Sequence, residues 1–177
     1  MPLTQRHPKQ FTVQAVSPTA LVHQFQTQGS LQTLAEGLTE YYDANPELKR
    51  GSLLPLEAQA FFHCHDVVHV LYGCGTSMPD EAIVKLASIL GTTGGLGILR
   101  GYRLHESFDI YRELPPGDTL LALVLSPYLI LRTAWRCRRQ SSPWPWHEHQ
   151  QYMNVSLREL RTTFGIRVAH GPSKGGS

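Results

Sequence analysis

Apolar residues recur along this chain with a helical period, and no run of β-branched residues alternates between hairpin turns. From Gly29 onward the pattern is helical. Ser30 is placed to cap a helix with Leu31, Leu34, Ala35 and Leu38 as its apolar stripe and Tyr41 and Tyr42 near its end. Asp43-Ala-Asn45-Pro46 breaks it. Pro55 opens a second helix that passes Phe61 and Phe62 and reaches Tyr72, where Gly73-Cys74-Gly75 stops it. Thr76 or Ser77 caps a third, with Pro79, Asp80 and Glu81 in the first turn and Ile83, Leu86, Ala87 and Leu90 following. That helix meets a glycine-rich stretch, 91–97, which lacks a P-loop lysine or a preceding strand and reads as a break allowing close approach. After a short element at 102–111 and a turn at 115–118, Asp118 or Thr119 starts an apolar helix over 120–135, bent or interrupted near Pro127. A last helix carries Val155, Leu157, Leu160 and Phe164 inward and closes at Gly165. The expected class is all-α: an N-terminal arm over 1–28, a single compact helical domain over 29–168, and a disordered tail over 169–177.

Composition narrows the function classes. A chain of 177 residues with 41% apolar and 17% charged residues can bury the core of one domain. Its net charge of +2 shows no concentrated basic stripe, so no nucleic-acid partner is expected. Arg132, Arg136, Arg138 and Arg139 cluster after an apolar segment. They read as a helix end whose cations complement the dipole, or as a contact for anionic lipid head groups or an anionic substrate. Three cysteines without a CxxC pair are no disulfide framework and point to a reducing compartment. The first residues have no secretory apolar core, and the nearest approach to a membrane span, 120–131, is too short and contains Pro127. Any contact with a membrane is expected at its surface.

The segment that carries chemistry is His63-Cys-His65-Asp66-Val-Val-His69, followed after eleven residues by Glu81. With about 100° per residue, His69 lies about 40° round the helix from His65, and Asp66 about 100°. Imidazoles at i and i+4 can aim at one ion. The glycine turn reverses the chain, so Glu81 sits one turn past it much as His69 sits one turn before. His65, Asp66, His69 and Glu81 are therefore the candidate ligands of a helical hairpin, a nitrogen and oxygen set suited to Zn²⁺, Fe²⁺ or Mn²⁺ with room for water or substrate. The competing account has Asp66 orienting a histidine and Glu81 favouring the helix dipole while pairing with Lys85. His63 points away from His65, and Cys64 is expected to be packed rather than reactive.

His65-Asp66-Val-Val-His69 with Glu81 resembles the signature of the Coq-four family of ubiquinone (coenzyme Q) biosynthesis proteins. The flanks resemble it too: His-Cys-His-Asp before the motif, His-Val-Leu-Tyr-Gly within it and Glu-Ala-Ile-Val-Lys after it. So do Pro127-Tyr-Leu-Ile-Leu-Arg-Thr-Ala-Trp135 and the closing Leu157-Arg-Glu-Leu-Arg, and the likeness covers about residues 30–168. The chain departs at Asp80, where family members often have glycine, and at Trp144-Pro-Trp146-His147-Glu148-His149.

The resemblance implies an all-helical domain holding a divalent metal, usually taken as zinc, through the four-residue motif. It further implies oxidative decarboxylation (decarboxylation and hydroxylation) of a polyprenylated hydroxybenzoate, with the four residues as ligands or, for one carboxylate, a proton-transfer group. The alternative is a non-catalytic lipid-binding scaffold organising other ubiquinone-biosynthesis enzymes at the membrane surface; a divergent relative acting on another isoprenoid is a third reading. Expected partners are a polyprenylated quinone precursor or other isoprenoid lipid, those enzymes, a membrane surface and, as an open assembly, a second copy in a homodimer. The expected location is the bacterial cytoplasm at the inner membrane, or the mitochondrial matrix face in a eukaryote.

Overall fold

A computed structural model describes residues 23–46, 48, 55–105 and 116–170, with backbone alone over 103–105 and 116–126. Among the described residues six α-helices follow in order: α1 Leu34–Ala44, α2 Leu56–Tyr72, α3 Met78–Gly91, α4 Ile98–His105, α5 Pro116–Arg138 and α6 Leu157–Phe164. Among the described residues there is no strand, only two isolated bridges, Thr33 with Ser156 and Thr92 with Trp144. The protein is all-α, in one helical domain.

α2 is the central element. Val67, Val68, Val70 and Leu71 are wholly buried, so its C-terminal half is apolar on several sides and takes α1, α3, α4 and α6 around it. α3 lies along α5 in the most extensive helix pairing. Core packing reaches Phe25 on one side and Ala169 on the other, each 1% exposed, so contacts of the helical body begin before residue 29 and continue past 168. Most of the expected arm and tail, 1–22 and 171–177, lies outside the described residues, as does the end of the expected 102–111 element.

Several helix ends match their sequence signals. Gly73 closes α2 with φ 65°, and a Cβ there would stand 3.1 Å from the Gln26 backbone. Ser77 caps α3, Ser156 caps α6, and Gly165 ends α6 with φ 70°. Others moved. α1 begins at Leu34 under Thr33, which forms a capping box with Glu36, instead of under Ser30. Residues 30–33 are non-helical, with Thr33 bridged to Ser156, Leu157 donating to the Gln32 carbonyl and Arg158 to that of Ser30. Leu31 consequently leaves the stripe and is 66% exposed. α5 starts at Pro116 and continues through Pro127 to Arg138; loss of one donor there leaves the helix unbroken. The glycine stretch does permit close approach: a Cβ on Gly91 would lie 2.3 Å from the Tyr72 hydroxyl. No described helix is long and apolar enough to cross a membrane.

Candidate metal centre

α2 and α3 position the centre. His65 and His69 occupy successive turns of α2, with side chains 8% and 0% exposed, while Glu81 in the first turn of α3 keeps 29%. Cys74 donates its amide to the His69 carbonyl at 2.9 Å, closing α2, and Ser77 accepts from the Asp80 amide, opening α3. This tight reversal lays the Glu81 carboxylate beside both imidazoles. The two Nε2 atoms are 3.1 Å apart, His69 Nε2 is 3.1 Å from Glu81 Oε1, and His65 Nε2 is 3.5 Å from Glu81 Oε2.

These spacings suit a small cation. Bonds of roughly 2.0–2.2 Å to a tetrahedral ion put neighbouring ligand atoms about 3.3–3.6 Å apart. One donor atom from each of His65, His69 and Glu81 lies within 4.8 Å of the others, and theirs is the group of this kind found among the described residues. Burial pulls His65 below the ordinary imidazole value against the hydrogen bond with Glu81, leaving the ring neutral and a nitrogen lone pair available. Burial alone raises Glu81, but hydrogen bonds from His65 and His69 outweigh it and hold the carboxyl well below the usual carboxylate range. Two imidazoles and one carboxylate would leave a fourth position on a tetrahedral ion, and Glu81 is the most exposed member of the three.

Asp66 falls outside this group. The helical step of about 100° turns it from α3 toward α1, where its carboxylate accepts from the Tyr42 hydroxyl at 2.9 Å. Burial raises it to about 6, with the Tyr42 hydrogen bond opposing. His63 is half-buried, 3.2 Å from the same hydroxyl and edge-on to His149. Cys64 is buried and its thiol is pushed up to about 11, so it is packed and protonated.

Three tyrosines around the centre carry no signal in the sequence. Tyr41 stacks on His69 at 5.2 Å, Tyr42 holds Asp66, and the Tyr102 hydroxyl lies 2.7 Å from His65 Nδ1. Tyr102 is 37 positions from His65, beyond any helical spacing rule. In the segment after α5, Trp144 and Trp146 are core residues, whereas Glu148 is exposed and accepts from Gln151. Arg132 and Arg136 are not simply solvated cations: they donate to the carbonyls of Val168 and Ala169. No family model matches the chain, and neither a curated protein nor a solved structure matches it.

Proposed function

We propose that this protein is a metal-dependent enzyme of ubiquinone biosynthesis, of the Coq-four type, acting on a polyprenylated hydroxybenzoate by oxidative decarboxylation. The observation that carries this reading is the convergence of His65, His69 and Glu81 across the α2–α3 hairpin. These residues would hold a divalent ion, zinc first, with iron or manganese as alternatives. Such an ion, when bound, supplies a Lewis acid for a carboxylate or phenolate oxygen. Replacing a ring carboxylate by hydroxyl is a two-electron oxidation that needs dioxygen or another external oxidant. Zn²⁺ has no redox chemistry, so direct oxygen chemistry would favour iron, for which two histidines and one carboxylate are a known set. The chain's own contributions are two buried imidazoles and one partly exposed carboxylate, while Asp66 is held by Tyr42 on the α1 side of α2.

A second reading, a lipid-binding scaffold at a membrane surface, is favoured by the outer side of α5. Tyr128, Leu131 and Trp135 are 62%, 71% and 55% exposed, spaced along one stripe, with Arg139 stacked on Trp135 at 4.1 Å. Clefts of ≈ 570 and ≈ 560 Å³ flank Trp135 and include Arg136, Arg138, Arg139 and Arg167.

One experiment separates the two readings. Purified protein is assayed for bound metal by elemental analysis and for conversion of a defined polyprenylated hydroxybenzoate, alongside His65→Ala and His69→Ala. Both substitutions should remove metal and turnover while helical content stays nearly unchanged. Full turnover by metal-free protein would falsify the enzyme reading; retained lipid without turnover by the metal-loaded protein would favour the scaffold.

A further inference from the structure

His65 and His69 present the same nitrogen to Glu81 but are held differently. Their Nε2 atoms both face the shared gap, so each ring's orientation depends on what meets Nδ1 on its other side. At His65 that is the Tyr102 hydroxyl, at 2.7 Å. At His69, Nδ1 is buried without a hydrogen-bond partner among the described residues, and the ring is held by stacking on Tyr41.

We propose that Tyr102 is the positioning residue of the centre, its phenol oxygen accepting the proton on His65 Nδ1 so that the Nε2 lone pair points into the gap shared with His69 and Glu81. This rests on the metal reading above. A histidine that binds an ion through Nε2 must carry its proton on Nδ1, and an acceptor there fixes both the tautomer and the ring's rotation. A phenol suits the role because it accepts from Nδ1–H in the loaded state and donates to bare Nδ1 in the empty one. Tyr102 is itself immobilised. It is 7% exposed, its ring meets Phe61 edge-on at 5.0 Å, and Lys85 Nζ lies 5.6 Å from its centroid. Phe61 can take that position because the next residue back, Gly101, has no side chain: a Cβ there would stand 2.2 Å from the Phe61 ring. α4 thus contributes to the centre without supplying a ligand.

The test compares wild type with Tyr102→Phe, which keeps the ring and its edge contacts and removes only the hydroxyl. Zn²⁺ affinity is measured by competition with a chromophoric chelator, and imidazole nitrogen resonances are recorded on metal-free protein. The expected result is a 10–100-fold weaker Zn²⁺ affinity, the usual loss for such an outer partner, with the His65 ring resonances displaced and those of His69 little changed. A folded Tyr102→Phe that binds Zn²⁺ as tightly as wild type overturns the proposal and leaves the metal reading standing. If wild type itself binds no Zn²⁺, the metal reading fails and the positioning role falls with it, an outcome distinct from an unchanged affinity in Tyr102→Phe. Should Tyr102→Phe not fold, the Zn²⁺-loaded wild type decides, since a His65 Nδ1 proton in fast exchange with water contradicts the contact and a slowly exchanging one supports it.

Discussion

Arg161 is 1% exposed, and its guanidinium donates to four main-chain carbonyls, those of Phe25, Thr27, Val70 and Leu71. Val70 and Leu71 lie in the last turn of α2, where the dipole favours a cation; Val70 also accepts from the Gly73 amide at 3.2 Å. Burial draws the guanidinium down to about 10, still charged at neutral pH. Arg161→Leu would leave the Phe25 and Leu71 carbonyls without the donors they have here, so a loss of about 3 kcal/mol is expected. Arg161→Lys should recover only part of it, because one ammonium cannot span the fork. Urea denaturation gives both values, and a loss below about 1 kcal/mol for the leucine variant would refute the account. In the sequence Arg161 reads as an ordinary charged position of a short helix; nothing there reveals that its neighbours are the open end of α2.

Between elements, α1 and α2 approach closely at Gly37. A Cβ at that position would meet Val70 Cγ1 at 2.8 Å and Leu157 Cδ1 at 3.0 Å, and both neighbours are wholly buried. Replacing a helical glycine by alanine gains about 1 kcal/mol in propensity. Forcing a methyl into a packed core costs about 1–3 kcal/mol. Because neither neighbour can move toward solvent, the overlap should win, and Gly37→Ala is expected to unfold at a lower temperature than wild type. A raised midpoint would show that the helices separate freely. The helix pattern was readable: α2 and α3 start and stop where proline, serine and glycine signals put them. α1 was displaced by three residues because its approach pairs with residues just before α6, over 120 positions away.

On the scale of the whole molecule, the C-terminal segment 166–170 ties the helices together. Ala169 donates to the Tyr72 carbonyl at 2.7 Å, Val168 to the Gln28 side chain, and Arg132 and Arg136 bond the carbonyls of 168 and 169. His170 then meets the Asp80 carboxylate at the α2–α3 turn. The hydrogen bond to Asp80 raises His170 above the ordinary value, against burial and the charges of Arg132 and Arg136. A raised histidine contributes stability that is complete below its unfolded pKa of about 6.5 and is lost as pH climbs through the higher folded value. The His170 side chain is 55% exposed, so solvent screening limits the contribution to a few tenths of a kcal/mol, up to about 1. His170→Gln should therefore be less stable than wild type near pH 6 and equal to it near pH 9. A deficit of the same size at both values would assign the effect to packing.

The sequence by itself determined the class of the fold and the candidate chemistry. Helical periodicity and end signals are local, and two histidines one turn apart share a face on any helix. The short glycine turn, too, dictates that a carboxylate at Glu81 comes back to their level. Tertiary structure decided the rest. It drew His65, His69 and Glu81 together, turned Asp66 to Tyr42, and brought Tyr102 to His65 and Arg161 to the end of α2. Those pairings depend on how helices far apart in the chain cross and rotate against one another, which packing of the complete core sets and no local spacing encodes.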